Sequence, residues 1–378
     1  MSSTFVQQSR RVVTGEGALD RLPAELAACG INRALVICGP HVAAGPALAL
    51  VEAAAGPAVA ARFDRCSGNA PLGVVDEIVR EARESQVDGL VSVGGGSVHD
   101  AAKGASVLLG EGGRLADHAT RFVPPDQLVV PPLRGRRIPI VAIGTTLSAS
   151  EATISAGFAD PATRTKIVVV DAAAPVRSVI LDPRLAATTP RAVLAASAGN
   201  ALNHCVEAIL SRGHGPMTDA LASSALRLLT ESAADAVGGD LAALAACQVG
   251  AYLSGLAMPA EGLGVNHAVC HVLGVHGAGH GAANSAMLVH GMRFNEPYTA
   301  DRQPVLAGAM PATGLGVNES VRALLDEIGA PTRLREVGVD RDAMPEIAAL
   351  ALHDRHMFAN PRPVHDAKEL EELLREAW

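Results

Sequence analysis

The chain has 378 residues, more than one hydrophobic core usually organises, so its length favours two domains. Hydrophobic residues make up 49% of it, but no uninterrupted apolar run is long enough to span a bilayer, which argues against a membrane protein. The 39 acidic and 31 basic residues give a formal charge of −8, and aromatic residues make up only 2%. The chain therefore lacks both the basic surface and the stacking residues that nucleic-acid-binding proteins use.

The first half of the chain alternates short β-branched runs with helical stretches. Strand, helix and strand in succession predict a parallel sheet covered by helices on both faces. The predicted strands are "RALVICGP" (33–40), "DGLVSVGGGS" (88–97) and "RIPIVAIGTT" (137–146), and the β-rich region continues through "KIVVVD" and "RSVILDP" (177–183). The predicted helices around them are "ALALVEAAAG" and "GVVDEIVREARES".

The character of the sequence changes near residues 182–190. From "TTPRAVLAASAG" to "LEELLREAW" the chain is rich in Ala and Leu, with a 3.6-residue periodicity and almost no strand signal. We therefore predict an α/β N-terminal domain with a Rossmann-like parallel sheet over residues 1–183 and an all-α C-terminal domain over residues 184–378. The crevice between two such domains is the expected place for a ligand.

A glycine-rich loop follows the second predicted strand. Gly94, Gly95, Gly96 and Ser97 lie between an apolar strand and a predicted helix. Backbone N–H groups and the helix N-terminus can close there on an anion such as a pyrophosphate. The loop is neither a GxGxxG motif nor a Walker loop, in which Lys103 would come too late, so a tight structural turn is the alternative.

Hydroxyl side chains follow the next predicted strand. Thr145, Thr146 and Ser148 lie at its carboxyl end, which is the edge where open α/β sheets bind ligands. The hydroxyl groups can bond phosphate or ribose oxygens there. The alternative is that they cap the helical start of the segment "SEAT".

Four histidines lie close together in the helical half, in "GLGVNHAVCHVLGVHGAGHG". His267 and His271 share one face of a predicted helix, and the Gly-rich turn lets His280 fold back toward them. In "NALNHCVEAI", Asn200 and His204 lie one helical turn apart. This clustering favours a functional site over isolated structural histidines.

Together these segments resemble the iron-containing (group III) alcohol dehydrogenase family, and within it the maleylacetate reductases. The resemblance extends over nearly the whole chain. It rests on "RVVTGEGALDRLPAEL", "GGGSVHDAAKG", "GTTLSASEAT", "SVILDPRLAATTPRAVLAASAGNALNHCVEA", "NHAVCHVLG", "AMLVHGMRFN" and the closing "NPRPV" and "LLREAW". It implies a dehydroquinate synthase-like architecture, a homodimer, and NADH or NADPH bound with its pyrophosphate on residues 94–97.

The resemblance also implies a metal site for iron or zinc. Its four ligands fall on Asn200, His204, His267 and His280. The alcohol dehydrogenases have an aspartate at the position of Asn200, whereas maleylacetate reductases resemble this chain in having an asparagine. Because a neutral amide is a poorer ligand than a carboxylate, we expect weak metal binding. The turn before His280 is one residue shorter than the family's usual spacing, which leaves His276 as an alternative ligand.

The reaction implied by the resemblance is the reduction of maleylacetate to 3-oxoadipate, with hydride from NAD(P)H. Such a reaction leaves enolate charge on a substrate oxygen and needs a proton donor. The resemblance matches His271 to that donor, and we expect His204 and His267 to polarise the substrate oxygen, directly or through a metal. Arg362 and His356 are candidate cations for an anionic carboxylate substrate, although an arginine flanked by prolines can instead hold a loop in place.

Three other functions are compatible with these residues. The first is a metal-dependent alcohol dehydrogenase for another small aldehyde or ketone, which the segment "VHDAAKG" favours. The others are a nucleotide-binding homologue without redox turnover and a lyase like dehydroquinate synthase. The segment "MSSTFVQQSRRVV" has no apolar stretch with a cleavage site, and the six cysteines form no CxxC pair, so we expect a cytoplasmic protein with reduced thiols.

Overall fold

The computed structural model describes residues 10–123, 127–160, 162, 165–173, 175–259 and 261–378. Its strands all precede residue 182, and the described chain beyond that point is helical, as the sequence predicts. The strands are β1 (Arg11–Thr14), β2 (Ala34–Cys38), β3 (Val59–Phe63), β4 (Gly89–Gly94), β5 (Arg121–Val123), β6 (Gln127–Val129), β7 (Ile140–Gly144), β8 (Ser155–Asp160), β9 (Thr165–Val170) and β10 (Val176–Leu181).

The helices fall into two groups. Those between the strands are α1 (Leu22–Ala28), α2 (Pro40–Ala44), α3 (Pro46–Ala55), α4 (Leu72–Glu84) and α5 (Gly96–Glu111). Those that follow the strands are α6 (Pro183–Ala186), α7 (Arg191–Leu210), α8 (Pro216–Gly238), α9 (Leu241–Leu256), α10 (Val265–Val275), α11 (His280–Asn295), α12 (Gln303–Gly308), α13 (Val317–Glu327), α14 (Met344–Ala351), α15 (Arg355–Phe358) and α16 (Ala367–Ala377). In the described residues, no helix is both long and apolar enough to cross a bilayer.

Six strands form one parallel sheet in the order β1-β10-β7-β4-β2-β3. The sheet is buried on both faces, and alternate residues of β4 pack into different cores. Leu90 packs with Ile140 and Phe158 on one face, whereas Val91 packs with Leu22 on the other. Because both faces are buried, the sequences of the strands consist of nearly continuous apolar residues.

The segment "KIVVVD" does not extend this sheet, contrary to the simplest interpretation of the sequence. It forms β9, which pairs antiparallel with β8 in a separate two-stranded sheet. The chain between β8 and β9 is short. A parallel pair needs a crossover of a dozen or more residues, so only a hairpin is possible here.

The register of the sheet sets the geometry of the cleft. Gly94 at the end of β4 is paired with Gly144 at the end of β7. The glycine loop and the hydroxyl loop that follow these strands are therefore neighbours at the carboxyl edge of the sheet.

Helix α7 is the centre of the helical half and is buried over most of its length, because α8, α9 and α11 pack around it. Gly199 allows the close approach of α11, since a Cβ at this position would overlap the side chain of Ser285. This approach brings Asn200 and His204 on α7 close to His280 at the start of α11.

Candidate active site

A cleft of about 1110 Å³ lies between the carboxyl edge of the sheet and the helices α7, α10, α11 and α15. Both groups of residues singled out in the sequence contribute to its walls. From the sheet side these are Gly94, Gly95, Gly96, Ser97, Thr145, Thr146 and Ser148, and from the helical side Asn200, His204, His267, His271 and His280. His276 is not among the lining residues, so the structure favours His280 of the two alternatives.

The glycine loop is packed against the hydroxyl loop, most closely at Gly95. A Cβ at Gly95 would lie 2.9 Å from Thr146 Oγ1, and one at Gly96 would lie 3.4 Å from Ser148 Cβ. Helix α5 begins here with Gly95 as its N-cap and without a side-chain cap. The Val98 N–H donates to the Gly95 carbonyl at 3.1 Å, which leaves the N–H groups of Gly96 and Ser97 without an intrahelical acceptor and available to an anion in the cleft.

The hydroxyl loop does not cap the helical turn that follows it. The N-cap of that turn (Ser150–Ala152) is Ala149, and no side chain bonds to it. The Ser148 hydroxyl oxygen is buried and has no hydrogen-bond partner among the described residues. An unpaired hydroxyl facing a cleft favours a polar ligand, since buried polar groups are normally hydrogen-bonded.

Two ring nitrogens on the helical side are oriented by partners behind them. His267 Nδ1 shares a hydrogen bond of 2.5 Å with Glu207 Oε2, and the His204 Nδ1–H donates to Ser254 Oγ at 3.3 Å, because the Ser254 hydroxyl itself donates to Ala251 O. The bond to Ser254 leaves His204 Nε2 as a lone-pair acceptor. His267 Nε2 and Asn200 Oδ1 are both buried without a hydrogen-bond partner among the described residues.

These atoms do not fit a tightly held divalent metal. Within the described chain, the ligand nitrogens of His204, His267 and His280 do not all lie within 4.8 Å of one another. With Asn200 they make a set of three imidazoles and an amide, which brings no negative charge to offset a dication.

A second pair of histidines completes the helical wall. His271 Nδ1 donates to Asp354 Oδ2 at 2.9 Å, and His356 Nδ1 accepts a bond from the backbone N–H of Leu263 at 2.9 Å. Their rings are 5.0 Å apart. His356 thus presents an N–H at Nε2, and His271 presents a nitrogen that can take or give a proton while Asp354 stabilises the charged ring.

Burial keeps these rings neutral in the free protein. It is the largest influence on all of them, lowering the pKa of His267 to about 3 and the pKa values of His204, His271, His280 and His356 well below their usual range. Positive charges nearby act in the same direction.

Two cationic residues in the cleft wall were not predicted from the sequence. Lys166 lies on β9 and Arg355 begins α15. Burial lowers the pKa of both side chains. No motif marks either residue, because each reaches the cleft only through long-range packing.

Of the two cations predicted from the sequence, His356 lines the cleft but Arg362 does not. The Arg362 guanidinium donates to Glu369 Oε2 at 2.9 Å and lies 4.0 Å from the ring centroid of Phe294. Arg362 therefore fastens the segment before α16 to α11. Its assignment as a substrate-binding cation is wrong, and the loop-holding alternative is correct.

Comparison with known proteins places the chain in a family. It matches the description "Iron-containing alcohol dehydrogenase" over residues 9–183 and "Fe-containing alcohol dehydrogenase family, C-terminal" over residues 194–378. It is 30% identical to lactaldehyde reductase from Escherichia coli (strain K12) over 379 residues, covering 96% of this chain and 97% of that protein. It is 29% identical to maleylacetate reductase from Pseudomonas knackmussii over 380 residues, covering 98% of this chain and 96% of that protein.

A solved structure of a 1,3-propanediol oxidoreductase has the same fold, with a TM-score of 0.86 at 29% identity over 100% of both chains. The chain therefore belongs to the iron-containing alcohol dehydrogenase family and is an oxidoreductase of that family. The architecture implied by the sequence resemblance is confirmed.

Proposed function

We propose that this protein is an NAD(P)H-dependent reductase that acts on a small carboxylate-bearing substrate, with maleylacetate as the candidate. The observation that carries the proposal is a single cleft in which a backbone anion cradle at residues 94–97 is joined to a histidine cluster containing the His271–Asp354 pair. The first part suits a dinucleotide pyrophosphate, and the second suits proton transfer to a substrate.

The nucleotide is held by the sheet edge. The N–H groups of Gly96 and Ser97 at the start of α5 bind the pyrophosphate, and the hydroxyl of Ser148 bonds a phosphate or ribose oxygen. When bound, NAD(P)H supplies the hydride. Gly95 and Gly96 contribute to nucleotide binding because they have no side chains, so the phosphates can approach the backbone closely.

The histidine cluster stabilises the negative charge that develops on the substrate oxygen and supplies a proton. His356 donates its Nε2–H to the substrate oxygen on which enolate charge collects. His271 delivers a proton from Nε2 while its Nδ1–H remains bonded to Asp354. An anionic substrate favours protonation of His271, because a negative charge at close range raises the pKa of an imidazole.

The second candidate is a reductase of neutral aldehydes, supported by the 30% identity to a lactaldehyde reductase. A substrate panel separates the two. The purified protein is mixed with NADH, and the loss of nicotinamide absorbance is followed with maleylacetate and with lactaldehyde or propionaldehyde. We expect oxidation of NADH with maleylacetate. Turnover with the aldehydes alone would overturn the proposal, and turnover with none of them would favour a nucleotide-binding or lyase function.

A further inference from the structure

Arg355 is a partly buried cation of the cleft wall that has no ion-pair partner in the part of the chain that the structure describes. Its Nε atom is fully buried and makes no hydrogen bond. The adjacent carboxylate of Asp354 is already engaged, with Oδ2 bonded to His271 and Oδ1 accepting the backbone N–H of His356. No carboxylate of the described residues forms an ion pair with Arg355.

The two least exposed cations of the described chain, Lys103 and Arg137, are both paired. Arg137 bonds Asp171 at 2.7 Å and Glu111 at 2.9 Å, and Lys103 lies 3.1 Å from Asp100. A buried N–H of a charged group that has no hydrogen-bond partner carries an uncompensated desolvation cost. A cation left without a partner in a cleft wall therefore indicates that the partner is a ligand.

The position of Arg355 indicates which ligand it meets. It lies at the histidine end of the cleft, between Asp354, which is bonded to His271, and His356, whose ring centroid is 5.0 Å from that of His271. The anion cradle for the nucleotide is formed by residues 94–97 on the sheet side. Arg355 is thus placed for the substrate and not for the pyrophosphate.

The geometry of a guanidinium favours a planar anion. Its N–H groups form a fork that matches the two oxygens of a carboxylate, and the interaction is strengthened in a site from which water is excluded. Lys166, on β9 of the separate two-stranded sheet, is the other cleft-lining cation without an ion-pair partner among the described residues. Its charge also acts on His267 and His271, but as a point charge it lacks this forked geometry.

We propose that Arg355 binds a carboxylate of the substrate and selects acid-bearing substrates over neutral aldehydes of similar size. This assignment rests on the proposed reductase function and deepens it by naming the group that recognises the substrate. Arg355 positions the substrate by its charged end, so that the reacting carbon faces His271.

The test compares Arg355→Gln and Arg355→Lys with the wild type on two substrates, maleylacetate and propionaldehyde, in the presence of NADH. We expect Arg355→Gln to raise KM for maleylacetate at least tenfold and to change KM for propionaldehyde less than twofold. Arg355→Lys should raise KM for maleylacetate by an intermediate factor, because lysine keeps the positive charge but lacks the forked pair of N–H donors. Equal losses on both substrates, or an unchanged KM for maleylacetate, would overturn the proposal.

Arg362→Gln is the matched control. It removes the same charge from the same region of the chain but outside the cleft, and it should leave both KM values unchanged when circular dichroism shows an intact fold. An increase for maleylacetate as large as that of Arg355→Gln would mean that the effect is one of overall charge, and this would also overturn the proposal.

A binding measurement keeps the result separate from the proposed reaction. Calorimetric titration of the NADH-loaded protein with maleate, an unreactive dicarboxylate, should show binding to the wild type and at least tenfold weaker binding to Arg355→Gln. If the wild type binds maleate in this way but does not reduce maleylacetate, the carboxylate site stands and the proposed function fails. Equal affinity of wild type and Arg355→Gln for maleate would remove Arg355 from the site.

Discussion

The two ends of the cleft offer different groups to a ligand. At the sheet edge, residues 94–97 offer backbone N–H groups, and the site depends on the absence of side chains. At the helical end, imidazoles from α7, α10, α11 and α15 are brought together and oriented by acidic and hydroxyl partners. The first site is therefore sensitive to any added atom, whereas the second is sensitive to a change in charge or proton affinity with little change in shape.

Asn200 illustrates this difference. An amide and a carboxylate have almost the same shape, so exchanging one for the other would preserve the helical packing while changing the charge offered to a metal. A comparable change at the glycine loop is not available, because even one methyl group at Gly95 would meet Thr146.

The largest effect is expected at the helical end. His271→Ala should lower turnover by about 10²–10⁴-fold, the range over which a positioned general acid acts, because the proton donor is lost in the transition state. The affinity for NAD(P)H should change little. Single-turnover kinetics and a cofactor titration measure the two effects separately.

His276→Ala is the control for this prediction, since His276 lies in the same segment but does not line the cleft. It should retain most of the turnover. Unchanged turnover in His271→Ala would exclude His271 from the mechanism.

The next largest effect is expected at the sheet edge. Gly95→Val should weaken NAD(P)H binding about tenfold or more, which corresponds to about 1.4 kcal/mol, because its Cβ would lie 2.9 Å from Thr146 Oγ1 and displace the loop. Fluorescence titration with NADH measures the change. Gly73→Val is a suitable control because a Cβ at Gly73 meets nothing within 4 Å. Equal cofactor affinity in wild type and Gly95→Val, with the fold intact, would mean that the loop is only a turn.

The metal content of the protein tests whether the neutral side chain of Asn200 weakens metal binding at the helical end of the cleft. We expect the wild type, purified without added metal, to carry far less than one divalent ion per chain and to keep most of its activity after chelation. Asn200→Asp should raise the metal content, because a carboxylate adds a charge-assisted bond to the ion. Elemental analysis of both proteins tests this. Near-stoichiometric iron or zinc in the wild type, with activity abolished by chelation and restored by the metal, would contradict it and favour an alcohol dehydrogenase.

Cofactor choice should show the smallest effect. NAD enzymes commonly hold the ribose hydroxyls with an acidic residue at the end of an early strand, but β2 is followed by Gly39, Pro40 and His41 in the cleft wall. The values of kcat/KM for NADH and NADPH should therefore agree within about tenfold. A strong preference for NADH would show that another acidic group of the cleft, such as Asp100, rejects the 2′-phosphate.

The sequence by itself determined the local features of this protein. The alternation of apolar strands and helices specified the parallel sheet, and the change in periodicity specified the helical half. Gly95 and its neighbours were recognisable as an anion cradle because turn chemistry depends on adjacent residues. The i, i+4 spacing of Asn200 and His204 placed both on one helical face for the same reason.

Only the tertiary structure decided which distant residues complete the site. Glu207 orients His267 across 60 residues of sequence, and Asp354 orients His271 across 83 residues. Arg355 enters the cleft while Arg362, seven residues later and flanked by prolines, packs against Phe294 outside it. No local pattern distinguishes these two arginines, because their different environments arise from helices that meet only when the chain is folded.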